Sequence, residues 1–251
     1  MSMLDLNGRT ALVTGASQGI GEAIARRLAI QGARVVVAAR NVERLKKLAD
    51  EIDSIGSSAH VLPLDLADSA AIADRLAELP PPFVEIDVLI NNAGITADNI
   101  FARMKLEQWE EVLQVNLTGA FAVTRALCRG MMRRRWGRIV SVSSVVGLMG
   151  NAGQANYAAA KAGMHGFTMS LAPEGARKGV TVNTISPGYI STAMTQAIPE
   201  EVLAKIVAGI PMRKMGETED IASMIGFLAS PAAGYFTGAN NPVNGGQIFS
   251  F

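Results

Sequence analysis

The chain of 251 residues holds one cysteine, Cys128, and two histidines. A single thiol excludes an intramolecular disulfide, and so few His and Cys side chains argue against a His/Cys zinc centre. Cys128 follows Ala126 and Leu127 in a helical run and reads as a structural thiol. No apolar run reaches the roughly 18 residues of a membrane span. Met1 to Leu6 lacks the basic-then-apolar order of a secretory leader. Neither charge sign dominates, with 23 basic against 22 acidic residues, so nothing global points to nucleic acid or an anionic membrane. Repeats, low-complexity stretches and linkers are also missing. These absences lead us to expect one soluble, cytoplasmic, metal-independent domain spanning residues 1–251.

What is present is apolar. Only 18% of residues are charged, and mean hydropathy is +0.24. A thick buried parallel sheet would account for this, as would helix faces hidden in an oligomer. Short β-branched runs alternate with longer helical segments. The expected strands are 10–14, 34–39, 60–64, 86–90, 138–142, 180–185 and 241–243. Helices are expected over 19–31, after an Asn41 cap, from Asp68 to Leu79, after Gln108, around Tyr157, and after a Thr218 cap. Pro173 should kink the tyrosine helix or start a 3₁₀ turn there. Apolar strands alternating with helices imply an α/β, doubly wound parallel sheet of about seven strands with right-handed crossovers.

Three features carry chemistry. Tyr157 and Lys161 stand four residues apart, on one helix face. A fixed ammonium is expected to lower the phenol's pKa and make it a general acid or base; an ordinary surface pair is the competing reading. Gly15, Ser17, Gln18, Gly19, Ile20 and Gly21 follow the first strand and open a helix, where a pyrophosphate can approach the backbone. A purely structural turn would also use those glycines. The second strand ends in Ala39-Arg40 with no acid to accept from a ribose 2′-hydroxyl, so Arg40 is expected to pair with a 2′-phosphate and select NADP(H). A solvated arginine is the plainer alternative.

Together with Asn92-Ala93-Gly94, Asn116, Ser144 and Pro187-Gly188, in this order, these residues resemble the short-chain dehydrogenase/reductase family over essentially the whole chain. The resemblance implies a Rossmann-type fold and a set of roles. Tyr157 would donate a proton to a substrate carbonyl, with Ser144 hydrogen-bonding the same oxygen. Lys161 would lower the tyrosine pKa and bind the nicotinamide ribose, and Asn116 would hold a water behind it. Asp65 and Leu66 would meet adenine, Asn92 to Gly94 the adenosine ribose, and Ile190 and Thr192 the carboxamide. Residues of about 189–210 would form a substrate lid. The plainer readings are Ser143 and Ser144 as strand-end hydrogen-bonders, with Ser143 the expected bystander by register, Asn116 as an ordinary poor helix former and Asp65 as a helix cap.

Within the family, Ser144 to Gly147, Gly153 to Gly163, Asn116 to Phe121 and Pro242 to Gly246 look like reductases of 3-oxoacyl thioesters on acyl carrier protein, in fatty acid synthesis. Gln18 departs from this pattern, standing where many NADP-using relatives have a base. An acidic carrier implies basic docking residues, for which Arg135 and Lys178 are candidates; solvated helix ends are the alternative. Acetoacetyl-CoA or hydroxysteroid-type reduction competes, as does a non-catalytic nucleotide-binding scaffold. Small residues on the helix after Gln108 and on the tyrosine helix imply a homotetramer, against plain packing on the sheet.

Overall fold

Seven parallel strands in the order β3-β2-β1-β4-β5-β6-β7 form the centre of the computed structural model, which describes residues 2–196 and 199–248. They are β1 (Thr10–Thr14), β2 (Arg34–Ala39), β3 (Ala59–Pro63), β4 (Val88–Asn91), β5 (Gly137–Val142), β6 (Val180–Pro187) and β7 (Asn240–Val243). The helices are α1 (Gly19–Ile30), α2 (Val42–Ser54), α3 (Ile72–Ala77), α4 (Leu106–Leu113), α5 (Gly119–Arg134) and α6 (Val146–Met149). They continue with α7 (Ala155–Ala176), α8 (Ala193–Gln196), α9 (Glu200–Gly209) and α10 (Thr218–Ala229).

Alternate strand residues go to opposite faces, and both faces are covered. Ala11, Val13, Val35 and Val37 pack with Ile24 and Leu28 of α1, Leu45 of α2 and Ile225 of α10. Leu12, Val36 and Leu89 pack on the other side with Ile72 of α3, and Val123 and Met131 of α5. Each fully buried Leu or Ile contributes about 1.5–3 kcal/mol. Double coverage is why these strands read as continuous apolar runs. Strand order reverses between β1 and β4, so a crevice opens past their carboxyl ends, where ligands bind in such sheets.

Several expected boundaries shift. The helix opening at Asp68 begins only at Ile72, because Asp68 Oδ1 accepts from the Ala71 N–H and holds a turn. Glu217, not Thr218, precedes the first turn of α10, and its N–H donates to Asp220 Oδ2. The helix after Gln108 starts at Leu106 and widens to a π turn over Gln114–Thr118 before α5. No 3₁₀ turn forms at Pro173: α7 stays α-helical to Ala176. The proline removes one i→i−4 bond, in the last turn of α7, without ending the helix.

Candidate active site

The crevice starts at the turn after β1. Gly15 and Gly19 have φ of +66° and +59°, which favour residues without a Cβ. A Cβ on Gly21 would lie 2.3 Å from Gly15 O, and one on Gly15 would lie 2.7 Å from Ala93 Cα. Backbone therefore packs directly on backbone. Thr14 Oγ1 accepts from the Asn92 and Ala93 N–H groups at 3.0 and 3.2 Å and donates to Ile90 O. Asn92 Nδ2 donates to Thr14 O at 2.9 Å and Gly15 O at 3.2 Å. Thr14 and Asn92 thus stitch together the ends of β1 and β4.

Gln18 enters α1 in extended geometry and makes no capping hydrogen bond. The first-turn N–H groups and the helix dipole are left for an anion. The cradle fits a dinucleotide pyrophosphate. Ser17 lies within this turn, and Ile20, partly buried, packs into the core. Arg40 is exposed just beyond β2. Arg44, which sequence reasoning missed, donates to Gln18 Oε1 from the first turn of α2. Its signal was spacing: it lies four residues after Arg40, at the third position of a helix capped by Asn41. Asp65 is exposed and accepts from the Ala67 N–H at 3.0 Å through one carboxylate oxygen. Leu66 is buried where Gly119 lets α5 approach it.

α7 delivers the reactive groups. Asn156 is fully buried, with Nδ2 donating to Ala97 O and Gln108 O, both at 3.0 Å. It fixes the start of the helix against the chain after β4, another anchor the sequence did not disclose. Lys161 is 3% exposed, and its Nζ donates to Val142 O at 2.8 Å and lies 5.5 Å from the Tyr157 ring centre. Ser143, expected to be a bystander, is buried and donates to the main-chain carbonyl of Lys161 at 2.9 Å. β5 therefore holds Lys161 at both ends. Ser144 Oγ accepts from the Val146 N–H at 3.1 Å, which aims it at the start of α6.

Asn116 sits in the π turn, fully buried. Its Oδ1 accepts from Ile95 N–H at 2.8 Å and its Nδ2 donates to Ile95 O at 2.9 Å. The amide thus shapes the backbone after β4. A Cβ on Gly94 would lie 3.2 Å from Asn116 Oδ1 and 3.4 Å from Lys161 Nζ, so these three meet at one point.

The protonation of the pair differs from expectation. Burial pushes the Tyr157 phenol above its ordinary value; Ser144 pulls it down and Asp98 raises it further. Burial lowers Lys161 from 10.5 to about 8. For this phenol desolvation is the largest influence, and it acts against the charged form.

Past β6, the Gly188 N–H donates to Val243 O at 3.0 Å, and a Cβ on Gly188 would lie 2.9 Å from Asn244 Cα. Pro187 O accepts from the Val145 N–H, linking this segment to the serine strand. Thr195 Oγ1 donates to Ile190 O and accepts from the Thr192 N–H. The Thr192 methyl lies 3.5 Å from where a Gly19 Cβ would stand, so this loop folds back over the phosphate turn. Of the expected lid, residues 197 and 198 lie outside the described residues.

Arg135 and Lys178 are not brought to this site. They precede β5 and β6, whereas Ser144 and Gly188 follow them. The six residues of β5 alone separate the two edges by roughly 20 Å. Exposed cations on the site's own side include Arg103, beside the 153 turn through Asn99, and Arg213 and Lys214, beside Gly245.

A glycine cradle at the switch point of a doubly wound sheet, with a Tyr–Ser–Lys group beside it whose lysine is buried, defines a dinucleotide-dependent oxidoreductase. Residues 9–203 match the family model for short chain dehydrogenases. The chain belongs to that family. It is similar to the 3-oxoacyl-(acyl-carrier-protein) reductase of Vibrio cholerae, at 47% identity over 97% of this chain and 99% of that one. The Escherichia coli protein of the same name is 46% identical with the same coverage. The acetoacetyl-CoA reductase of Allochromatium vinosum is 50% identical over 95% of this chain and 98% of its own. A solved structure from Beutenbergia cavernae, described as an NAD(P)-dependent gluconate 5-dehydrogenase with bound NADP, has a TM-score of 0.92 and 41% identity. It covers 98% of this chain and 99% of that one.

Proposed function

We propose that the protein reduces a 3-oxoacyl thioester on acyl carrier protein to the 3-hydroxyacyl thioester, using NADPH, in fatty acid synthesis. The observation that carries this is end-to-end identity of 46–47% to reductases of that name. An apolar lip supports an acyl substrate over a sugar acid: Ile100, Phe101, Leu148 and Met149 are exposed on the segments that follow β4 and Ser144. The acetoacetyl-CoA reductase likeness favours the same chemistry on a different carrier.

Bound NADPH would supply the hydride; the chain's residues supply the rest. The α1 turn would hold the pyrophosphate, Arg40 and Arg44 a 2′-phosphate, and Asp65 the adenine. Ile190 and Thr192 would hold the carboxamide, and Lys161 the nicotinamide ribose. Negative charge builds on the carbonyl oxygen during reduction, and donors fixed there stabilise the transition state. Ser144 Oγ–H and the Tyr157 hydroxyl are those donors, and Tyr157 gives up its proton. The raised phenol pKa suits this direction, because it keeps the proton in place until an alkoxide forms. Lys161, still cationic near neutrality, then faces the phenolate. The reprotonating water expected at Asn116 falls to its main chain, since Ile95 occupies the amide.

NADPH oxidation tests the reading with three substrates: an acetoacetyl carrier-protein thioester, acetoacetyl-CoA and 5-ketogluconate. The carrier thioester should give the highest kcat/KM, and turnover of the sugar acid alone refutes it. Charge reversal at Arg103 and Lys214 should raise KM for the carrier substrate only, and reversal at Arg135 and Lys178 should leave it unchanged. A homotetramer in the cytoplasm completes the reading. Phe121, Phe167 and Met169 crowd the outer faces of α5 and α7, and Phe121 and Met169 are exposed there; a monomer in light scattering would refute the tetramer.

A further inference from the structure

One turn beyond Lys161 on α7, a polar chain runs behind the site. His165 Nε2 is 3.0 Å from Ser143 Oγ, and its Nδ1 is 3.2 Å from Thr184 Oγ1. Thr184 Oγ1 and Ser186 Oγ lie 3.1 and 2.7 Å from the side-chain amide of Asn240. Ser143, Thr184 and Ser186 are buried.

Counting hydrogens fixes this chain. Ser143 Oγ is 2.9 Å from the carbonyl oxygen of Lys161, and two oxygens that close need a hydrogen between them. The carbonyl has none, so the serine's only hydrogen goes there. Ser143 Oγ can then only accept from the imidazole, which places a hydrogen on Nε2. Burial, and then the charge of Lys161, hold His165 below its ordinary 6.5, so near pH 7 the ring is neutral and Nδ1 accepts. The Thr184 hydroxyl must donate to it. Asn240 must therefore turn its NH₂, rather than its carbonyl, toward Thr184 and Ser186. An asparagine's two amide ends are alike in shape. The outward end has no hydrogen-bond partner among the described residues, so the turn forfeits no bond.

We propose that His165 is a positioning residue. As a neutral Nε2–H imidazole it fastens Ser143, just past β5, and Thr184 of β6 to α7, and so sets where Lys161 and Ser144 stand relative to Tyr157. This rests on the catalytic reading of those three residues. On α7 the charge facing the ring is Lys161; from β5, β6 and β7 the ring meets the uncharged chain of Ser143, Thr184 and Asn240. Protonation would reverse the order: Nδ1 would donate, Asn240 would present its carbonyl, and a second cation would stand one turn from Lys161.

The wild-type protein contains only His60 and His165, so long-range ¹H–¹⁵N spectra of its imidazoles at pH 7 give the state of each ring. His165 should be neutral with its proton on Nε2; an Nδ1–H tautomer or a cationic ring overturns the proposal. This reading needs no substrate, so it stands or falls apart from the proposed reaction. A kinetic arm tests the positioning itself. His165→Gln retains a donor near Nε2, and His165→Leu does not. The Leu variant should lose about ten- to a hundredfold in kcat, with KM for NADPH nearly unchanged, and the Gln variant should recover most of it. Full kcat in the Leu variant, or equal losses in both, refutes it.

Discussion

Replacing Lys161 by Met should change how stability depends on pH, by an amount the burial of this side chain sets. Lys161 is 3% exposed, and burial lowers it from 10.5 to about 8. A depressed lysine pKa means that the fold resists the charged form. Below about pH 8 the native protein carries a cation it would hold more easily unfolded. Above 10.5 both states are neutral and the penalty is gone. At about 1.4 kcal/mol per unit, the full penalty is on the order of 3 kcal/mol. Most of it is present at pH 7, and less than a third remains at pH 10. Wild type should therefore gain about 2–3 kcal/mol relative to Lys161→Met between pH 7 and pH 10. The bond from Nζ to Val142 O does not disturb this difference, because a neutral amine still donates. Other titrating groups are common to both proteins, and His165, which feels the Lys161 charge, is neutral across this range. Denaturant unfolding of the two at fixed protein concentration across this range measures it. Parallel curves, within about 0.5 kcal/mol, would show that Lys161 is solvated and refute the burial argument.

Two further substitutions probe the cofactor cradle. Gly21→Ala should abolish NADPH binding measured by fluorescence titration, because its Cβ would lie 2.3 Å from Gly15 O. Arg40→Glu should favour NADH over NADPH in kcat/KM, by at least tenfold relative to wild type, because it repels a 2′-phosphate and accepts from a 2′-hydroxyl.

Strands β1 and β2 were legible to the residue, since apolar β-branched runs there are bounded sharply by Arg9 and Thr10, and by Arg34 and Arg40. That Tyr157 and Lys161 share a helix face, with Ser144 beside it, was legible because helix spacing and motif order are local facts. Other features depend on tertiary balance and were hidden. Propensity carries no mark of the π turn that brings Asn116 to Ile95. The Tyr157 shift reverses the expected sign because charge attraction was visible as spacing, whereas burial was not. Ser143 gained its role only when β5 met α7. The docking residues are a different case. Arg135 and Lys178 each precede a strand, and a parallel sheet gathers its site where strands end, so topology already argued against them.

The two shifted groups together predict which ionisation governs catalysis. In the proposed role Tyr157 must be protonated to reduce a carbonyl, and burial keeps it so well into alkaline pH. It therefore does not set the alkaline limit of reduction. Lys161 does, because its charge, which stabilises the phenolate left after proton transfer, is present below about pH 8 and lost above it. Reduction should hold its kcat to about pH 7 and fall with a midpoint near 8. Oxidation of the 3-hydroxyacyl thioester needs the phenolate to receive a proton, so its rate should not rise over the same interval, where Tyr157 stays protonated. Steady-state kcat in both directions from pH 6 to pH 10 makes the comparison. A reduction rate unchanged through pH 9 would show that Lys161 keeps its proton in the working enzyme, and that burial is not what tunes this site.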